Sequence, residues 1–145
     1  MGPRPYSVAL LADVHGNLAA LRAVLDDLRR IPHDRLVVAG DLARGGPRPA
    51  ETLDVLRSLG PTATMIYGSA DRAVADPTAI EPGTRWVQQA IGPALMVWLA
   101  GLPFDCRITP PAASRPATTC SSSTPRRRTS RRCSRWSRTG RACWR

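Results

Sequence analysis

The sequence predicts an α/β fold built on a sheet that is covered on both faces. Short apolar runs of strand length alternate with segments that have a helical period, and acidic or polar residues follow each of the first three runs. Strands that are apolar on both faces and alternate with helices are typical of buried, mostly parallel sheets. Such sheets place their ligands at the carboxyl ends of the strands.

The first β-α-β unit covers about forty residues. The apolar run Ser7–Ala12 predicts a strand, and apolar residues at three- and four-residue spacing over Leu18–Leu28 predict an amphipathic helix. Pro32 ends that helix. A second continuous apolar run, Leu36–Ala39, predicts the next strand, which ends at Gly40-Asp41.

The pattern continues to about residue 109. A second helix is predicted over 53–59, before a Gly-Pro dipeptide, and a third strand over Ala63–Tyr67. Trp86–Leu102 has a helical apolar period that Gly92-Pro93 should break, and Arg107–Thr109 is a candidate for a further strand.

Charge divides the chain near residue 105. Residues 1–105 hold ten arginines and all eleven acidic residues, whereas 106–145 hold eleven arginines and no acid. Segment 110–145 consists mostly of Pro, Ser, Thr and Arg, and we predict a poorly ordered tail because it has too little apolar surface to offset chain entropy. An Arg-rich tail would bind nucleic acid and other polyanions non-specifically through counterion release. Polyanion binding is therefore one candidate function.

Several classes of protein are disfavoured. The four cysteines, spaced 14, 13 and 10 residues apart, match no zinc-binding pattern. No apolar run reaches the roughly 18 residues of a membrane span, and the N-terminus lacks a signal-peptide pattern. We therefore expect a soluble, cytoplasmic protein without a membrane partner; the sequence predicts no oligomeric state.

A shifted reading frame is a further hypothesis for the tail. All basic residues other than histidine are Arg, and Pro and Ala are frequent, as in a GC-rich gene. With suitably chosen codons for Thr119–Pro125, reading from the third base gives Leu-Leu-Val-Val-His-Ala. A Ser/Thr/Cys stretch would then become a buried strand that ends in a histidine.

Three residues at two strand ends form the candidate chemical site. Asp13 and His15 follow the first predicted strand, and Asp41 follows the second. Oxygen and nitrogen ligands together suit Mn, Fe, Zn or Ni better than Ca or Mg. Two such metals bridged by a carboxylate would hold a hydroxide, the usual hydrolytic nucleophile. Singly, the two aspartates would be interpreted as helix caps and His15 as a surface histidine, and only their combination at the strand ends favours a metal site.

The motifs around these residues resemble those of calcineurin-like metallophosphoesterases. Asp13-Val14-His15-Gly16-Asn17, Gly40-Asp41 and Gly68-Ser69-Ala70-Asp71 follow the family order Asp-x-His-x-Asn, Gly-Asp and Gly-Asn-x-Asp/Glu. The resemblance covers residues 6 to about 109. It implies the N-terminal part of a four-layer α/β/β/α sandwich over 1–109, a di-metal centre and hydrolysis of phosphate mono- or diesters.

The resemblance also implies residue roles. Asp13 and His15 would bind the first metal and Asp41 would bridge both, while Asp71 would close the third motif behind the ligands; Asp41 and Asp71 are thus the residues assigned to catalysis. Ser69 stands where the family has an asparagine ligand to the second metal, and it is a weaker ligand.

Two further residues are candidates for substrate binding. Arg44, in a Gly-rich loop, has the planar fork that can hold phosphate, although its position is more typical of a solvated loop charge. Asn17 would either cap a helix or face the site. Trp86 and Trp98 are expected in the core rather than against a ligand. The family's later histidines have no counterpart here, so we expect impaired hydrolysis by this chain.

Overall fold

The computed structural model describes residues 5–110 and the backbone of 118–121. Strands and helices alternate as predicted up to residue 75, and the α/β fold class is confirmed. The strands and α-helices are, in chain order, β1 (Val8–Leu11), α1 (Leu18–Leu28), β2 (Arg35–Ala39), α2 (Pro49–Ser58), β3 (Ala63–Ile66), α3 (Ser69–Ala75), α4 (Pro82–Ala100), β4 (Asp105–Ile108) and β5 (Thr118–Ser121), and a short 3-10 helix (Gly60–Thr62) precedes β3.

Strands β1, β2 and β3 form a parallel sheet in that order. Leu11 of β1 lies opposite Val38 of β2, and Ala39 of β2 lies opposite Ile66 of β3. Because the strands are parallel and nearly in register, all three end at one edge of the sheet. The loops that follow them therefore meet there.

The main core lies on one face of this sheet. Leu36 and Val38 of β2 point to that face and pack with helix residues in one apolar cluster, which includes Leu21 and Leu53. On the opposite face Val37 is buried, but Leu10, its neighbour on β1, is 59% exposed. The prediction of a sheet covered on both faces is therefore wrong for β1 in the described part of the chain.

Helix α4 is longer than predicted and broken as predicted. It starts at Pro82, where proline is favoured because the first helical N–H needs no partner, rather than at Trp86. Gly92 has a φ of 71° and a ψ of 175°, outside the helical range, and Pro93 follows it. The short helix α3, by contrast, was not predicted, because its seven residues carry no extended apolar period.

Strand β5 lies within the segment predicted to be poorly ordered. Its backbone pairs antiparallel with β4, with Cys106 opposite Cys120. The strand overlaps the stretch for which the shifted frame gives an apolar strand, and that hypothesis stays open. The rest of 111–145, and so most of the prediction for the tail, lies outside the described residues. Among the helices of the described ranges, none is long and apolar enough to cross a bilayer.

Candidate metal centre

Two loops at the carboxyl edge of the sheet bring the predicted ligands together. The loop after β1 is hydrogen-bonded to the loop after β2: the backbone N–H of Asp13 donates to Gly40 O (3.2 Å), and that of His15 donates to Asp41 O (2.8 Å). Gly40 has a φ of +82°, and a Cβ there would lie 2.6 Å from the Cα of Gly68. Glycine at position 40 thus permits the loop after the second strand to lie close to the loop after the third.

The backbone is left-handed at all three predicted ligands. Asp13, His15 and Asp41 have φ values of 55°, 49° and 52°, respectively. Residues other than glycine adopt this conformation uncommonly, at a cost of about 1–3 kcal/mol each, and such residues cluster at functional sites. The hydrogen-bonded loops therefore hold the backbone of these three residues in a conformation that the chain would otherwise avoid.

The hydrogen bond of His15 fixes which ring nitrogen is free to bind a ligand. Its Nδ1 lies 2.6 Å from the backbone carbonyl oxygen of Arg44, an acceptor, so Nδ1 carries the proton. The lone pair is then on Nε2, which lies 3.5 Å from Asp13 Oδ1. A metal-binding histidine usually donates the N–H of its other ring nitrogen to a backbone carbonyl or a carboxylate, as Nδ1 of His15 does here.

One donor atom from each of Asp13, His15 and Asp41 lies within 4.8 Å of the other two. The side chains of Asp13 and His15 are 69% and 43% exposed, so a cation can reach them from solvent. Two carboxylates and one imidazole are a donor set that fits a divalent transition metal. The residues present therefore fit the metal that the sequence predicts.

Asp71 lies behind this group and faces the backbone. It is fully buried, and its two carboxylate oxygens accept the N–H groups of Leu42 (2.8 Å) and Gly68 (2.9 Å). Burial raises the pKa of Asp71 above its ordinary value, and these hydrogen bonds oppose the shift. A third bond in the same region, from Ala70 N–H to Asp41 Oδ1 (2.9 Å), fixes the Asp41 carboxylate directly.

An open cavity of about 820 Å³ lies beside the three donors. Arg44 lines it, and its guanidinium is paired with Glu81 at 3.0 Å. Asn17 also lines it and at the same time caps α1, accepting the N–H of Ala20 through Oδ1 (3.1 Å). Asn17 therefore both caps the helix and borders the cavity, and the substrate-binding roles of Asn17 and Arg44 stay predictions.

A family model agrees with the strand-end motifs. The model of calcineurin-like phosphoesterases matches residues 6–119, which include all three motifs. The chain belongs to the calcineurin-like phosphoesterase family. Family membership accounts for the convergence of Asp13, His15 and Asp41 at the sheet edge.

Known members of the family match parts of the chain. A symmetrical bis(5'-nucleosyl)-tetraphosphatase of Methylococcus capsulatus is 41% identical over 66 residues, which are 45% of this chain and 24% of the relative. The enzyme of that name from Yersinia enterocolitica is 42% identical over 66 residues, or 45% and 23% of the two chains. The match thus spans about a quarter of the length of these relatives.

Two solved structures share the fold. A metallophosphoesterase from Sphaerobacter thermophilus superposes with a TM-score of 0.59 at 26% identity, covering 74% of this chain and 44% of that one. Protein PH1004 of Pyrococcus horikoshii gives a TM-score of 0.64 at 22% identity, with coverage of 72% and 50%. The second likeness concerns the fold alone.

The remaining predicted residues, a serine and two tryptophans, have different surroundings. Ser69 is exposed and begins α3, so its role as a metal ligand stays a prediction. Trp98 packs against the core as predicted, but the prediction for Trp86 is wrong: it is 49% exposed and lines the cavity. The sequence analysis did not predict that Glu81 caps α4, because glutamate is not a common helix cap. Pro82, at the first helical position, was the signal that could have placed the start of the helix there.

Proposed function

We propose that this chain holds a divalent metal and hydrolyses phosphate mono- or diesters at the carboxyl edge of its sheet. The observation that carries the proposal is the convergence of three donor atoms within 4.8 Å beside an open cavity. When bound, the cation would supply Lewis acidity to the phosphate and lower the pKa of water. We take manganese as the metal for testing, and a cytoplasmic location remains a prediction.

The roles of the protein residues follow from their contacts. Asp13 and His15 would bind the metal, with Nδ1–H of His15 held by a backbone carbonyl so that Nε2 faces the site. Asp41 would contribute a carboxylate and bridge to a second metal, toward which Ser69 would offer a weak hydroxyl ligand. Asp71 is a positioning residue, because its carboxylate faces backbone amides in the interior rather than the cavity.

The substrate would be held by the walls of the cavity. Arg44 would take a phosphate oxygen, and its pair with an exposed glutamate is weak enough to exchange for a phosphate. Asn17 lies close by and would hold a second polar group of the substrate. The similar enzymes from Methylococcus and Yersinia support a nucleotide phosphate ester as the substrate class.

Hydrolysis of bis(p-nitrophenyl) phosphate and p-nitrophenyl phosphate with Mn²⁺ tests the proposal. We expect slow, Mn²⁺-dependent release of nitrophenol, slow because the chain has only two histidines. Asp41→Ala should abolish it, whereas Asp54→Ala, which removes an exposed carboxylate of α2, should not. Release that is independent of Mn²⁺, or equal in the two variants, would contradict the proposal.

Polyanion binding is the second candidate, favoured by the charge of the tail. Residues 106–145 carry eleven arginines without a single acid. The sheet edge itself would repel phosphates without a metal, because the carboxylates of Asp13 and Asp41 lie there. If the tail is the functional part, affinity for a DNA duplex should fall steeply with salt and be unaffected by Asp41→Ala.

A further inference from the structure

Trp86 is one of two exposed large apolar residues of α4 in the described part of the chain. The indole is 49% exposed and Val97 is 73% exposed, whereas Val87, Leu95 and Leu99 of the helix are at least 93% buried. Single exposed apolar residues are common and need no function. Trp86, however, lies in the wall of the same cavity as Asp13 and His15.

The backbone that carries Trp86 is held firmly. Glu81 caps α4 by accepting the N–H groups of Gly83 (3.1 Å) and Thr84 (2.7 Å) and the hydroxyl of Thr84 (2.7 Å). Gln88 Nε2 donates to Val74 O (3.0 Å) and Asp76 O (2.7 Å), which ties the same turn of α4 to α3. The helix backbone is thus fixed on both sides of Trp86, by the cap at Glu81 and by Gln88. A ring carried on such a rigid backbone is suited to stacking against a ligand.

Glu81 also links the turn that carries Trp86 to the arginine of the cavity. Besides capping α4, Glu81 pairs with the Arg44 guanidinium at 3.0 Å. The cavity wall next to Trp86 includes Gly83, which has no side chain to fill the space. One cavity of about 820 Å³ thus combines a planar aromatic ring, an arginine and the candidate metal donors, and its size is ordinary for a small-molecule site.

A planar ring, a cation and metal donors together fit a ligand with an aromatic base at one end and a phosphate at the other. A simple alkyl or sugar phosphate would use only the arginine and the donors. We infer that Trp86 stacks on the base of a nucleoside phosphate whose phosphate lies toward Arg44 and the metal donors, and so sets the preference for nucleotides. This inference rests on the proposed function, which places the phosphate in this cavity.

The test compares two ligands of equal phosphate charge by isothermal titration calorimetry with Mn²⁺: AMP, which has a base, and ribose 5-phosphate, which has none. Both would respond alike to non-specific binding by the Arg-rich tail. Base–aromatic stacking predicts that AMP binds about tenfold more tightly. Trp86→Ala should remove the difference and Trp86→Phe should keep most of it, with Val97→Ala, an exposed position on α4, as the control.

The outcomes separate this inference from the proposed function. Equal affinity for the two ligands, or a preference for AMP that survives in Trp86→Ala, overturns the role of Trp86 while leaving the phosphate site intact. A preference for AMP that depends on Trp86 but not on Mn²⁺ or Asp41 supports the stacking surface and contradicts the metal site. Binding of neither ligand in the presence of Mn²⁺ overturns both.

Discussion

Replacing Asp71 by alanine should destabilise the fold, since this buried carboxylate joins the loop after β2 to the start of α3. The alanine leaves the N–H groups of Leu42 and Gly68 buried without an acceptor. An unsatisfied buried group costs about 1–3 kcal/mol, so two cost about 2–6 kcal/mol. Burial raises the pKa of Asp71, which means that its charge is itself costly to bury. Removing the carboxylate therefore offsets part of the destabilisation.

We therefore expect Asp71→Ala to lower the free energy of unfolding by about 2 kcal/mol, a large share of the roughly 5–15 kcal/mol of an ordinary domain. Urea titration followed by circular dichroism should show the midpoint falling by about 1 M. Asp71→Asn keeps one acceptor oxygen, so its free energy of unfolding should fall less than that of Asp71→Ala. Asp54→Ala, at an exposed position, serves as the matched control. A midpoint for Asp71→Ala equal to that of Asp54→Ala would refute the role of the two hydrogen bonds.

Three further changes test the site and its surroundings. Gly68→Ala should weaken Mn²⁺ binding measured by equilibrium dialysis, because the new Cβ would fall on the Asp41 carboxylate; unchanged affinity would contradict this packing. Hydrogen bonds from Thr84 lower the pKa of Glu81 from 4.5 to about 2, so the carboxylate stabilises the fold above pH 4.5 and loses this effect as the pH falls toward 2. Urea midpoints should accordingly fall less between pH 7 and pH 3 in Glu81→Gln than in the parent chain, and equal losses would contradict the cap. Ser69→Asn alone should not produce robust hydrolysis of bis(p-nitrophenyl) phosphate, because the chain has only two histidines; fast turnover would show that the serine was the limiting defect.

The convergence of the metal donors could be predicted from the sequence. Parallel strands end at one edge, so residues just past β1 and β2, such as Asp13 and Asp41, must lie near each other. The hydrogen bond from His15 to the carbonyl of Arg44 could not be predicted. It joins residues 29 apart in the chain and depends on left-handed backbone that propensities do not favour.

The exposure of Trp86 also could not be predicted from the sequence. A helical period assigns faces only when the ends of the helix are known, and α4 begins four residues before Trp86 and is broken at Gly92. The burial of Asp71 was indicated by the motif alone, because a single carboxylate in the first turn of a helix is more often a solvated cap.

Mn²⁺ binding by the intact chain tests the central claim most directly. Equilibrium dialysis with metal analysis should find close to one Mn²⁺ per chain, bound weakly, since Asp13, His15 and Asp41 supply one cluster of donors in the described residues. The ion should be lost in Asp41→Ala and retained in Asp54→Ala. Absence of bound Mn²⁺ in the parent chain, or equal binding by the two variants, would contradict the assignment of a metal centre to this edge of the sheet.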